Sequence, residues 1–368
     1  MKKFAKKTVS TIHYLTHNTL VLINALLSLC MVLGCLSTVV PAGHLCILPY
    51  FGLFFPFWLG GTMAFLCYWA LRRKRVILLP LLTILLCFGN VRNTFSLPLF
   101  SREKANDSNV SIMTMNTFGL RSRQQMNKVR ELVFEQEADI VCLQEFGGES
   151  DSRKLNRLIE DYEEKYPYHH IWYKTQGKNF WMGNAVFSKY PIVNKAPIDY
   201  ESRYNISIYS DIAIGNDTIR LINNHLESFK FTPREIAQFK DAIGNQSEEL
   251  KSSTIMLWKK MNDAYRLRGP QADSVAAVVT SSPYPVVLCG DFNDVPQSYA
   301  YHRLKGKKLM DLGNKAGWGY RHTYYRHYML VNIDHILIDK HFLPTSYKVL
   351  HTELSDHYPV VGSFNLRK

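Results

Sequence analysis

No aspartate or glutamate occurs among the first hundred residues, and this absence constrains the chain more than any single motif. The same stretch carries nine basic residues: Lys2, Lys3, Lys6, Lys7, Arg72, Arg73, Lys74, Arg75 and Arg92. Between them run three apolar segments, residues 19–40, 45–71 and 76–93, with Arg92 their only charge. A hydrocarbon core of ~30 Å asks for about 20 apolar helical residues, so the first two segments suffice and the third is marginal. Three such runs in one acid-free stretch would be hard to keep in solution as buried helices. The expectation is therefore three transmembrane helices forming an anchor over residues 1–95. A cleavable leader would explain only the first run, and "PAGH" after it makes a poor cleavage site.

Positive charge marks the cytoplasmic side of membrane helices. "MKKFAKK" before the first run and "RRKR" between the second and third put the N-terminus inside. Three crossings then place everything beyond residue 95 outside, which in a bacterial inner membrane means the periplasm. Residues 96–109, with "SREKANDSN", read as a polar linker.

Residues 101–368 hold 35 basic and 31 acidic residues, a net of +4. A non-specific nucleic-acid binder usually shows a stronger basic excess, so this balance disfavours that class without removing it. Cys142 and Cys289 lie inside apolar runs and behave as small hydrophobes; their spacing matches neither a disulfide framework nor a zinc motif.

Eight β-patterned runs follow: "VSIMTMNTF", "ADIVCLQE", "NAVFSKYPI", "ISIYSDIAI", "DTIRLINNHL", "PVVLCGDF", "NIDHILID" and "YPVVGSFNL". "GND" between the fourth and fifth reads as a hairpin turn. Gln124 to Glu137 is patterned as a helix, and 229–279 as helices broken at Gly244-Asn245 and Gly269-Pro270. Strands interleaved with helices predict a layered α/β domain with mixed sheets over residues 110–368.

Polar side chains collect at the tips of these strands. Asn116 ends the first and Glu145 the second; Asn224 and His225 close "IRLINNH". Asp291 and Asn293 follow "PVVLCG", Asp334 lies in "NIDHILI", and Asp356 and His357 precede the last strand. One such residue is usually a turn former. Six sites of Asn, Asp, Glu and His suggest instead the oxygen donors of a hard divalent cation, Mg²⁺ or Mn²⁺. The histidines would then serve charge stabilisation and proton transfer.

"MNTFG", "DIVCLQE", "NNHLES", "GDFND", "IDHILI" and "LSDHYPV", in that order, resemble the motif series of the endonuclease/exonuclease/phosphatase superfamily. The resemblance spans about residues 110–368. It implies a four-layer α/β sandwich, two packed mixed sheets flanked by helices, with a metal-dependent phosphoric ester hydrolase site at one edge. By the same resemblance Glu145 would be the principal Mg²⁺ ligand, helped by Asn116, with Asp356 a candidate further ligand. Asp291 would orient or deprotonate the attacking water, and Asn293 would position the phosphate. Asp334 would pair with His357, whose imidazole stabilises the phosphoryl oxygens. His225 would protonate the leaving group or clamp the phosphate, with Asn224 beside it in substrate binding.

Other polar residues read more plainly. His335, Asp339, Asp294, Asp151 and the pair His169-His170 are expected in packing or at the surface, and Lys189 at a strand end. His322, Tyr324, Tyr325 and His327 are candidates for the rim, and Asn184 for the neighbourhood of the site. In residues 228–268, Phe229, Phe231, Phe239, Met256, Leu257 and Trp258 alternate with lysines, as an interfacial lid or ordinary amphipathic helices would. The functional expectation is a membrane-anchored Mg²⁺-dependent phosphohydrolase acting on a lipid head group or another small phosphate ester. The alternative is an extracytoplasmic nuclease acting on DNA or RNA. A non-catalytic binding module is set aside because every candidate catalytic position is filled.

Overall fold

The computed structural model describes residues 2–96, 106, 109–119, 122–149, 152–176, 180–245, 249–326 and 329–366. Most of the expected linker, with Asp151 and His327, lies outside these described residues. Five helices come first: α1 (Lys2–Leu36), α2 (Leu48–Leu53), α3 (Phe55–Leu71), α4 (Leu78–Leu86) and α5 (Phe88–Thr94).

One helix, Thr11–Leu36 within α1, is long and apolar enough to cross a membrane, the character of an anchor or a signal sequence. The expectation of three such helices is not met. The second apolar run breaks at Phe54, where Pro56 restarts the helix as α3 with 17 residues. The third divides at Cys87, and its halves are bent by 70°, so it is a span only if that bent pair counts as one. Met31, Phe55, Leu59 and Cys87 form a small apolar core between these helices. Asn24, Ser28 and Ser37 of the α1 region are buried with Thr62 and Thr83, while Leu15, Leu22, Leu26 and Leu29 are exposed.

The rest of the described chain builds two six-stranded sheets and one two-stranded ribbon. In order come β1 (Phe95–Ser96), β2 (Asn109–Asn116), α6 (Arg123–Gln136), β3 (Ile140–Glu149), α7 (Ser152–Glu163), β4 (Tyr168–Gln176) and β5 (Phe180–Ser188). Then follow β6 (Ile192–Ile198), β7 (Ser207–Ile214), β8 (Asp217–His225), α8 (Pro233–Gly244), α9 (Glu249–Ser281) and β9 (Val286–Asp291). The last are α10 (Tyr299–Lys305), β10 (Leu309–Asp311), α11 (Leu312–Ala316), β11 (Gly319–Tyr320), β12 (Asp334–Asp339), β13 (Leu343–Val349) and β14 (Val360–Asn365).

One sheet has the order β13-β14-β2-β3-β5-β4 and the other β10-β12-β9-β8-β7-β6. Only β2–β3 and β8–β9 pair in parallel; the other neighbours are antiparallel. Between the sheets lies a core that includes Ile112, Ile140, Cys142, Leu221, Val287 and Cys289. Val129 of α6 and Tyr162 of α7 pack on the outer face of the first sheet, and Val275 of α9 and Tyr301 of α10 on that of the second. These are the four layers expected. An amide clamp ties the sheets together: Gln144 Nε2 donates to Asn223 Oδ1 at 2.7 Å, and Asn223 Nδ2 to Ala185 O at 2.9 Å. Asn184 belongs to this clamp, its Nδ2 donating to Ile206 O at 2.8 Å.

Two elements differ from the sequence pattern. "NAVFSKYPI" is divided between β5 and β6 by a turn at Lys189, whose ammonium reaches Glu137 O at 2.8 Å. Gly269-Pro270 is not a break, for α9 runs straight through Pro270. Ala272, Val275 and Val279 beyond it are buried against the sheet, and that packing outweighs the ~3 kcal/mol intrinsic penalty of an internal proline.

The apolar helices dock directly on the sandwich. Gln297 Nε2 donates to Asn90 O at 3.0 Å and to Thr94 Oγ1 at 2.9 Å, both on α5, while its carbonyl accepts from Ser37 Oγ. Tyr50 on α2 donates to Asn262 Oδ1 at 3.0 Å. A Cβ at Gly52 would collide with Gln297 O and Ser37 Oγ, so only glycine permits this approach. β1 pairs with β11, which fastens the chain again where it leaves α5.

Candidate active site

The site forms where strand ends of both sheets meet. In the second sheet β9 lies between β8 and β12, in a register that sets Asp291 directly between His225 and Asp334. The "GD" of "CGDFND" is dictated by that crowding. Gly290 has φ of +129°, and a Cβ there would collide with Asn224 O of β8. Beyond it, Asn293 is held at φ +52°, and its backbone N–H donates to Asp291 Oδ1 at 2.7 Å. Asn293 Nδ2 donates to Asp291 Oδ2 at 3.1 Å and Leu226 O at 2.9 Å, so the amide is anchored on the acid and on the neighbouring strand.

The first sheet supplies Asn116 and Glu145. Glu145 sits at a register shift between β3 and β5, with φ of +52°. A bulge of this kind re-aims a side chain at the cost of local strain. Asn116 Nδ2 bridges the two sheets, donating to Asp291 Oδ2 at 3.0 Å and Glu145 Oε1 at 3.3 Å. Its Oδ1 accepts from Phe118 N at 2.9 Å, which fixes the orientation of the amide.

His357 completes the cluster. Its Nδ1 lies 2.8 Å from Asp334 Oδ2 and its Nε2 3.8 Å from Asp291 Oδ2. Burial opposes the imidazolium, but Asp334 and Asp291 outweigh it and hold the ring well above its usual range. Thr323 Oγ1 accepts from Asp334 N at 3.0 Å, and Tyr324 stands edge-on to His357 with ring centroids 5.1 Å apart. His225 differs. Burial pushes its pKa down, and its Nε2 lies 2.8 Å from Asn205 Nδ2. Asn205 Nδ2 also donates to Leu226 O at 2.9 Å, so the amide is the donor and His225 Nε2 accepts.

Around these groups is a groove of about 350 Å³. Asn116, Glu145, Asp291, Asn293, Asp356 and His357 line its polar wall. Leu53, Phe229, Phe231, Ile236, Met329 and Ile333 line the apolar wall, and Lys230 and Arg326 also border it. Asp294, expected in packing or at the surface, borders the groove and faces Arg268 Nη1 at 3.3 Å. His335 is packing, as expected, between the Phe292 and Tyr301 rings.

Not every expected residue gathers here. Asn224, His225 and Asp334 are not among the lining residues; Asp334 acts behind His357 and His225 Nε2 lies 3.8 Å from Asp291 Oδ2, whereas the strand's alternation turns Asn224 to the opposite face from His225, where its Oδ1 accepts from Ser207 Oγ at 2.8 Å. His322 stacks on Tyr320 and Tyr325 on Tyr358, so of the described aromatic and histidine rim candidates only Tyr324 lines the groove. Two residues at the site, Asn205 and Leu53, carried no signal of their own in the sequence, and a third, Ser355, donates from its Oγ to Asn116 O at 2.7 Å. Ser355 could have been suspected from its place in "LSDHYP".

The donors fit a hard divalent ion. Burial, then the charges of Asp356 and Asp291, push Glu145 up to about 7 even though 23% of its side chain is exposed. A carboxylate crowded by two others wants a cation, and the oxygen-rich set matches a magnesium-type ion. Asp291, Asp334 and His357 also bring potential ligand atoms within 4.8 Å of one another, but Asp334 and His357 are already bonded to each other.

The sequence profile of the Endonuclease/Exonuclease/phosphatase family matches residues 113–357, and the chain belongs to that family of metal-dependent phosphoric ester hydrolases. Members act on phosphoester substrates, nucleic acids among them. A second profile, of a domain of unknown function, matches residues 17–94. No curated protein matches the chain. An endonuclease/exonuclease/phosphatase family protein from Leptotrichia buccalis shares the fold, with TM-score 0.51 and 14% identity over 70% of this chain and 100% of that one. Caenorhabditis elegans TDP2 gives 0.47 and 18%, covering 70% and 98%, and the human Nocturnin catalytic domain 0.49 and 16%, covering 73% and 97%.

Proposed function

We propose that the chain is a membrane-anchored, Mg²⁺-dependent phosphoesterase whose substrate joins its phosphate to an apolar group, as a lipid head group does. The observation that carries this reading is Leu53. A residue of the apolar N-terminal helices forms part of the wall of the groove that holds Glu145, Asp291 and His357. Together with Phe229, Phe231 and Met329 it offers an apolar surface beside the acidic cluster. The outward leucines of α1 support anchorage, and "RRKR" at the end of the bundle remote from the docking residues supports a catalytic domain outside the cytoplasm.

In this reading Glu145, Asn116 and Asp356 hold the ion, which when bound supplies charge neutralisation to the phosphoryl oxygens. Asp291 takes the proton of the attacking water; burial already raises its pKa toward the range of a useful base. Asn293, locked on Asp291, positions the phosphate. His357, cationic because Asp334 grips its Nδ1, faces the developing negative charge with Nε2. His225 accepts at Nε2 and is buried neutral, which favours positioning over donation of a proton to the leaving group. The first turns of the 228–268 segment border the groove with Phe229 and Phe231, and Trp258 farther along is exposed, as an interfacial element requires.

A substrate panel on the purified full chain tests the reading: phospholipids, sphingolipids, inositol phosphates and plasmid DNA, each with and without Mg²⁺. Metal-dependent turnover of a lipid is expected. Cleavage of plasmid without turnover of any lipid would transfer the assignment to the nuclease alternative. A reporter fused to the C-terminus should be active outside the cytoplasm, and activity inside would reverse the orientation.

A further inference from the structure

A second cavity, of about 540 Å³, shares no lining residue with the catalytic groove. It lies at the junction of the apolar helices and the sandwich, between α5, α10, α11 and the turn after β12. Four cations come to it from four separate elements: Arg92, Lys305, Lys315 and Lys340. Among the described lining residues Asp311 is the one acid, and it is already committed. Its carboxylate accepts from Tyr301 OH at 2.7 Å and Asn314 N at 2.8 Å, and faces Arg321 Nη1 at 3.3 Å.

Like charges gathered at one partly buried place repel, and the repulsion is felt at Lys305. Burial, together with Lys340, Arg92 and Lys315 and against the pull of Asp311, holds its ammonium below the usual range. Such an arrangement is stabilised by an anion that satisfies several cations at once. Cys35, Leu86, Cys87 and Leu309 give the cavity an apolar part as well. Leu86, with 74% of its surface exposed, ends α4 and lines the cavity, and Leu82 and Leu85 on the same helix are exposed as well. A basic pocket that shares Leu86 with an outward leucine surface has the layout of a lipid: charge at the head, hydrocarbon along the helix.

We propose that this cavity binds a phosphate-bearing anion, with the head group of an anionic membrane lipid as its source. The site is separate from the hydrolytic groove, and only the choice of a lipid source rests on the membrane anchorage argued above.

The test uses the full chain in nanodiscs of phosphatidylcholine, alone or mixed with phosphatidylglycerol, with no divalent ion added. Retained lipid is counted by native mass spectrometry and the unfolding midpoint is recorded. Wild-type chain should retain phosphatidylglycerol selectively and unfold at a higher temperature in its presence. The preference should fall about fivefold for each lysine removed in Lys305→Gln and Lys340→Gln. Lys340 is exposed, so Lys340→Glu should lose the preference while its midpoint in pure phosphatidylcholine does not fall below the wild-type value. Inorganic phosphate is titrated in parallel. Lysine-dependent stabilisation by phosphate without selective lipid retention would keep the anion site and move its source to solution. Equal lipid retention in wild type and all variants, with no lysine-dependent response to phosphate, would overturn the proposal. Because the readout is binding, the result stands whether or not any lipid is hydrolysed.

Discussion

His357 and Asp334 are bonded through Nδ1 and Oδ2 at 2.8 Å, which leaves His357 Nε2 turned toward Asp291. The pair spans the last loop and β12, so the charge on the imidazole depends on a residue 23 positions earlier in the chain. Asp334→Asn should keep the fold and lower kcat by about 10²–10⁴ while changing KM little. The alkaline limb should also move. His357 has a raised folded-state pKa, so its charged form, and the stability it contributes, is full at low pH and lost as pH rises through that value. Removing Asp334 lowers the pKa and brings the loss to lower pH. An unchanged pH–rate profile in Asp334→Asn would show that the pair does not set the charge.

Chelation should abolish turnover, and Glu145→Gln or Asp291→Asn should reduce it by at least about two orders of magnitude in a folded protein. The discriminating measurement is Mg²⁺ binding by calorimetry. Glu145→Gln should weaken it strongly, whereas activity that survives EDTA removes the metal from the reaction.

The crowding at Glu145 makes a pH prediction. Its folded-state pKa, about 7, lies above the unfolded value, so in metal-free protein the carboxyl costs stability increasingly as pH rises from about 4 toward 7. Metal-free protein should therefore gain stability from this group on acidification over that window. Binding of the ion near pH 7 should release a fractional proton, detected as a dependence of calorimetric heat on the buffer's ionisation enthalpy. No proton release would mean that Glu145 is already ionised and the crowding is relieved by another route.

Gly52→Val should break the docking of α2 on Gln297. Overpacking of this kind costs about 1–3 kcal/mol. The variant should unfold at lower temperature and lose turnover of membrane-bound substrate more than turnover of a short soluble ester. Equal losses on both substrates would indicate damage to the catalytic groups rather than to the junction.

Much of the catalytic half was legible because its signals are local. Asn116, Glu145, Asp291, Asp334 and His357 each lie in or beside a strongly patterned strand, and strand geometry then carries them to one edge. What was not legible depends on contacts between distant segments. Asn224 reads like a partner of His225, yet alternation turns it to the other face. Asn184 looks like a neighbour of the site and instead joins Asn223 in clamping two sheets. Pro270 looks like a stop, and only the burial of the residues after it explains the unbroken α9. The apolar runs showed their hydropathy, whereas the breaks at Phe54 and Cys87 stand next to contacts made with distant segments, Leu53 with Val295 and Asn90 with Gln297.

Gln297 holds α5 through Asn90 and Thr94 only four residues beyond Asn293, with no slack chain between the two. An enzyme hung from a long flexible stalk samples a volume. Here, with the outward leucines of α1 seated in a bilayer, the catalytic groups would ride at one fixed height, and their search for substrate would be confined to a plane.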